Sequence, residues 1–346
     1  MNRFNDLTLV IPTHFRHGYL QRLLDYYKDS GLSIIVADSS DKPFQHAHEY
    51  KDLNYLHYPD TPLAHKVTDM LLKVRSKYTV MCADDDFITT TGMKSCLEFV
   101  EQNSEYASAQ GHVVQFRRHG NSLEYKPMFL HSIGRDINGG HACERIKQQF
   151  TKNVGVYYAV RRTECYLDGY REAVDNGLSN VNFFPKLDAM LTVIHGKHKV
   201  LPVFYSAREF IPGSGSSTTR KFSEFIDDPE YAREMEAFRD VSSRYVAAND
   251  KIEYSAARAH VDETVELMRA WYNRRAPRLA NSALAGGTLH KVARKISIKV
   301  DQLRRRREIR ESLNTPGFPF HDAAGRSELE RIESFIRSYD VSQSSK

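Results

Sequence analysis

Short apolar runs alternate with amphipathic stripes over the first hundred residues. Residues 7–12, Leu-Thr-Leu-Val-Ile-Pro, form an apolar, β-branched run closed by proline, the pattern of a buried strand. Leu20, Leu23, Leu24 and Tyr27 then recur at helical spacing, and Gly31 follows as a stop. Residues 33–37 predict a second buried strand ending at Asp38, and residues 54–58 a weaker third closed by Pro59. Val67, Met70, Leu71 and Val74 make a second helical stripe. Residues 77–83 predict a strand running into Asp84-Asp85-Asp86, and Met93, Cys96, Leu97 and Val100 a third helix. Strands alternating with amphipathic helices predict an α/β fold, a mostly parallel sheet with helices on both faces. Ligands of such sheets bind beyond the carboxyl ends of the strands. Thr13, Arg16, Asp38 and Asp84 to Asp86 are the polar residues expected there.

The middle of the chain is less regular. It predicts strands at 109–116, 155–160 and 200–206, a helix at 187–194 before the turn His195-Gly196-Lys197, and a glycine- and serine-rich loop over 211–220. Beyond about 222 the pattern is nearly all helical. The expected division is a catalytic domain over 1–220, with halves of about 1–103 and 104–220, and a helical C-terminal region over 221–346.

With 41% hydrophobic and 27% charged residues over 346 positions, disorder of the whole length is excluded. No run approaches the roughly 18 to 20 apolar residues of a membrane-spanning helix. The opening six residues are too polar for a signal peptide, so a cytoplasmic location is expected. Cys82, Cys96, Cys143 and Cys165 include no C-x-x-C pair, which argues against a zinc ribbon or thioredoxin-type site and for reduced thiols. The net charge of +5 is unevenly spread: residues 261–346 hold 17 Lys and Arg against 11 Asp and Glu, and the rest of the chain 32 against 33. Leu289, Val292, Ala293, Ile296, Val300 and Leu303 trace an apolar stripe opposite Lys291, Arg294, Lys295, Lys299 and Arg304 to Arg307. That is a basic amphipathic helix over about 288–311, suited to peripheral contact with an anionic membrane or to a solvated face. It lacks interleaved aromatic residues, so nucleic acid is not expected.

Three consecutive aspartates after a buried strand repel one another and lose hydration. A divalent cation resolves both problems, and Mg²⁺ or Mn²⁺ also binds substrate phosphates. In an extended segment Asp84 and Asp86 would share one face. No G-x-G-x-x-G or G-x-x-x-x-G-K-[ST] follows the first strand, against a dinucleotide-binding dehydrogenase or a P-loop enzyme.

The opening strand with Thr13-His14-Phe15-Arg16, the strand ending at Asp38, and Tyr78-Thr79-Val80-Met81-Cys82-Ala83-Asp84-Asp85-Asp86-Phe87 together resemble a nucleotide-sugar glycosyltransferase of the GT-A fold, nearest to glycosyltransferase family 2. The resemblance covers residues 7–100 well and 150–210 loosely. It implies an inverting, metal-dependent transfer from a nucleoside-diphosphate-sugar to a glycan or lipid-linked glycan hydroxyl, as in bacterial surface polysaccharide synthesis. It also implies that Thr13 and Arg16 lie in the nucleotide-binding loop, that Asp38 contacts the base and that Lys66 approaches the nucleotide or its phosphates. Asp86 would be a metal ligand in either register of the D-x-D motif. Asp84 would be a second ligand or, with Asp85, contact ribose or metal-bound water. The family's base lies on a helix before a glycine turn, which points to Asp188, with Asp168 and Asp175 as alternatives. The family's acidic pair is missing, since Leu187 precedes Asp188. Arg208, following a strand, is placed to reach the diphosphate, and the loop from Pro212 to Thr219 to close over the donor. The competing expectations are a sugar nucleotidyltransferase, whose glycine-rich start is missing, and a non-catalytic binding protein on a decayed transferase domain.

Overall fold

The computed structural model describes residues 4–119, 122–180, 183–211, 226–275, 315–319, 321 and 323–339. The basic helix expected over 288–311 and the loop from Pro212 to Thr219 lie outside them.

The predicted strands and helices of the first half are all present. Strand β1 (Leu7–Thr13), helix α1 (His17–Tyr27), β2 (Ser33–Asp38), β3 (Leu53–His57), α2 (Leu63–Leu71), β4 (Tyr78–Met81), β5 (Phe87–Ile88) and α3 (Thr90–Gln102) follow in order. The middle of the chain adds β6 (Tyr106–His119), β7 (Ser122–Met128), β8 (Asp136–Ile137), α4 (Ala142–Thr151), β9 (Val160–Arg162), α5 (Thr163–Asp175), α6 (Phe184–His195) and β10 (Lys197–Glu209). Three helices complete the described chain: α7 (Ala232–Asp250), α8 (Tyr254–Arg275) and α9 (Ala323–Ser338).

The strands form one ten-stranded sheet with the path β3-β2-β1-β4-β9-β6-β10-β5, where β7 pairs with β6 and β8 with β10. Pairing is parallel through β3, β2, β1 and β4, and again between β6 and β10. The short β9 is antiparallel to both β4 and β6 and joins the two parallel blocks.

Side-chain alternation along each strand sorts the apolar residues onto two faces. Leu7, Leu9 and Ile11 of β1 pack with α1, α3 and α9. Val10, with Ile35, Ala37 and Met81, packs with α2, α4, α5, α6, α7 and α8. The helical C-terminal region therefore does not build a core of its own. Met235, Phe238, Val241, Val261, Val265 and Met268 close one face, and Phe318, Leu329, Ile332 and Ile336 close the other. These residues share the cores of the α/β unit.

From β1 the chain crosses by α1 to β2 on one side, then returns from β3 by α2 to β4 on the other. The carboxyl ends of β1 and β4 thus flank a topological switch point, where a crevice opens in such sheets.

Candidate functional site

The residues at this crevice come from the ends of β1, β2, β4 and β10. Residues 83–86 form a turn, with the Asp86 amide donating to the Ala83 carbonyl at 3.2 Å. The extended arrangement expected for Asp84 and Asp86 is not formed: Asp84 and Asp85 share Arg16, and Asp86 turns to Arg208.

Asp84 turns toward β1. It accepts from Thr13 Oγ1 at 2.7 Å and pairs with Arg16 at 3.1 Å. The same guanidinium holds Asp85 at 2.6 Å, and it lies over the Tyr19 ring. Asp86 turns toward β10, where it accepts from Tyr158 Oη, from Arg208 Nε at 2.9 Å and from the Glu209 amide at 2.8 Å. Burial pushes Asp84 up to about 7, against the pull of Arg16, and Asp86 up to about 6, against the pull of Arg208.

Beneath them Arg22 of α1 is fully buried. It pairs with Glu209 at 2.7 Å, donates to the Asp85 carbonyl at 2.8 Å and lies over the Tyr19 and Phe87 rings. Lys66 of α2, also buried, donates to the Thr13 carbonyl and to Ser39 Oγ at 2.8 Å. Burial lowers it to about 8, with Asp38 and Asp84 pulling the other way.

Asp38 sits one strand over, at the end of β2, and is fully buried. One oxygen accepts from the Ser40 amide at 2.8 Å and the Ser40 hydroxyl at 2.6 Å; the other accepts from Tyr55 Oη at 2.6 Å and His17 Nε2 at 2.7 Å. Its acceptor capacity is filled.

The structure therefore brings Thr13, Arg16, Lys66, Asp84, Asp85, Asp86 and Arg208 into one contact cluster, with Asp38 adjoining. It does not bring Asp188 there. That side chain is 1% exposed, with both oxygens on the guanidinium of Arg161 at 2.7 and 2.9 Å. Arg161 in turn donates to Thr192 Oγ1 and lies 3.3 Å from the Tyr166 ring centroid. The apolar surroundings expected around a base are present, but they enclose Asp188 completely, so an acceptor hydroxyl has no access to it. Of the alternatives, Asp168 pairs with His195 at 3.0 Å at the far end of α6, and Asp175 is exposed at the end of α5.

The sequence reading missed His17, Arg22, Tyr55, Tyr158 and Glu209. A weak signal existed for Arg22, a lone arginine within the apolar stripe of α1, and for Glu209, next to Arg208. Tyr158 carries none, because only sheet pairing sets it beside Asp86. No group of three or more His, Cys, Asp or Glu side chains among the described residues is arranged to hold a metal ion. No described helix is long and apolar enough to cross a membrane.

No family model matches this chain, and no curated protein matches it. Among solved structures it is similar to residues 1–349 of S. aureus TarS in complex with UDP-GlcNAc. That likeness has a TM-score of 0.52 at 14% identity and covers 96% of this chain and 91% of that one. The same fragment determined as "S. aureus TarS 1-349" gives a TM-score of 0.48 at 12% identity, with the same coverage. At 14% identity the first likeness is one of fold, in keeping with the α/β architecture expected from the sequence.

Proposed function

We propose that the protein is a nucleotide-sugar glycosyltransferase. It transfers a sugar from a nucleoside-diphosphate-sugar to a glycan or lipid-linked glycan hydroxyl, in bacterial surface polysaccharide synthesis. The observation that carries this reading is the charge balance of the switch-point crevice. Asp84 and Asp85 share Arg16, Asp86 pairs with Arg208 and Glu209 with Arg22, and the Lys66 ammonium lies beside them on the Thr13 carbonyl. A diphosphate entering such a cluster adds uncompensated negative charge, and a divalent cation restores the balance. The hard carboxylate oxygens suit Mg²⁺ or Mn²⁺, which is held by one or two carboxylates together with substrate phosphates and does not need three protein ligands. Asp86 and Asp84 are the residues to hold it. When bound, the cation neutralises charge developing on the departing diphosphate.

This chain's own residues do the rest. Arg208, released from Asp86, is free to form charge-assisted hydrogen bonds to the diphosphate. Arg16 does the same from the opposite wall. Tyr158 and the Glu209 amide keep Asp86 oriented during the exchange. The fold shared with a TarS structure that holds UDP-GlcNAc supports the donor class. The basic stretch at 288–311 is proposed to contact anionic lipid where the acceptor is membrane-bound.

The test is donor turnover with Mn²⁺ across a panel of nucleoside-diphosphate-sugars. The wild type releases nucleoside diphosphate only with the cation present, and Asp86→Ala lowers turnover at least about a hundredfold with an unchanged circular dichroism spectrum. Full activity of Asp86→Ala, or of the chelated wild type, overturns the metal-assisted mechanism. Pyrophosphate release from a nucleoside triphosphate and a sugar phosphate would favour a nucleotidyltransferase instead.

A further inference from the structure

The β1–α1 loop holds a second arrangement that the phosphate-facing cluster does not use. Asp38, expected to touch the base of the nucleotide, has no acceptor position left for it. Burial pushes its carboxyl up, but the hydrogen bonds from Ser40, Tyr55 and His17 outweigh this and hold its pKa below the ordinary carboxylate value. An ionised carboxylate only accepts, so His17 Nε2 must carry the proton. Nδ1 is then the ring nitrogen that Asp38 leaves unengaged. This ring is 26% exposed, and Nδ1 makes no hydrogen bond among the described residues.

The same carboxylate controls the neighbouring aromatic. Ser40 Oγ donates to Asp38 and accepts the Phe15 amide at 2.7 Å. Phe15 has φ of +53° and is 60% exposed. A bulky residue in the left-handed region is held there at a cost, and the result is an exposed aromatic ring that packs against the His14 imidazole with centroids 4.3 Å apart. Phe15 and His17 flank Arg16 on the β1–α1 segment.

We infer that His17 reads the base of the donor nucleotide by accepting an N–H of the base at Nδ1, and that Asp38 is a positioning residue that sets the tautomer of His17. The inference rests on the nucleotide-sugar reading above and changes which side chain meets the base. His17→Ala deletes the acceptor. Asp38→Asn replaces a pure acceptor with a group that also donates, which releases the tautomer.

Calorimetric titration of the full chain with UDP, GDP, CDP and ADP, each with Mn²⁺, identifies the base bound tightest. Inorganic pyrophosphate with Mn²⁺ serves as the ligand without a base. We expect His17→Ala and Asp38→Asn each to weaken that nucleotide about tenfold while pyrophosphate binds as in the wild type. An analogue methylated at the N–H of the base should cost the wild type a similar factor and the His17→Ala variant nothing further, because the contact is already gone. Wild-type nucleotide affinity in His17→Ala, or an equal methylation penalty in both proteins, overturns the inference. A wild type that binds pyrophosphate but none of the four nucleotides defeats the nucleotide-sugar reading itself, and that result is separate from any behaviour of His17.

Discussion

Asp188 and Asp86 show how differently two buried aspartates can be used. Both are almost fully buried, but the Arg208 partner of Asp86 is 31% exposed, whereas Asp188 is closed in with a fully buried Arg161. Burial raises the Asp188 carboxyl and Arg161 pulls it back. The pair is charged and bidentate, and removing one partner strands the other in a low-dielectric interior. Asp188→Asn is therefore expected to lower unfolding free energy by about 3 kcal/mol, read as a reduced urea midpoint. The molecules that remain folded should bind donor normally. Unchanged stability together with lost transfer would restore Asp188 as the base. The sequence showed an acidic residue among apolar neighbours at this position. It did not show Arg161, which lies 27 residues away along the chain.

At the scale of elements, β1 to β4 and α1 to α3 were legible because strand and helix periodicities are local properties of the chain, whereas the two-residue β5 was not read. The short β9 was placed too early in the sequence, at 155–160 and not at Val160–Arg162, and its antiparallel direction was not foreseen. Three residues carry too little pattern to show direction, which comes from pairing with β4 and β6. The return of the chain at 315–319 is likewise a tertiary event. Phe318 is fully buried and stacks on His112 with centroids 4.6 Å apart. Gly317 has φ of +83°, and a Cβ there would lie 2.1 Å from the Pro202 carbonyl carbon. Gly317→Ala thus meets both a forbidden backbone region and a backbone clash. It should destabilise the protein by about 2–4 kcal/mol, seen as a lower melting temperature and earlier proteolysis near α9. A melting temperature equal to that of the wild type would show that this strap does not contribute to the fold.

For the whole molecule, two buried histidines make stability depend on pH. Burial depresses His112 to about 4, and burial together with Arg161 depresses His198 to about 3. Both pKa values lie below that of an unfolded histidine, so between them the unfolded chain binds more protons. Their contribution is fully present above about pH 6.5. It is lost as the pH falls through that value toward the folded pKa values, so the melting temperature should drop across this window. His112→Leu should flatten the drop, and an unchanged slope in that variant would exclude His112 as a source. Sequence alone determined the alternation of strands and helices, the strand ends where polar residues gather, and the concentration of basic charge beyond residue 260. These follow from periodicity and composition, which need no knowledge of distant contacts. Only the tertiary structure decided which carboxylates meet at the switch point, that Asp38 is saturated and Asp188 enclosed, and that the C-terminal helices close both faces of one sheet. Ser40 serves Asp38 from two positions away, but the other contacts join residues tens to hundreds of positions apart, and a carboxylate's role is set by its partners and its access to solvent, which its neighbours along the chain do not fix.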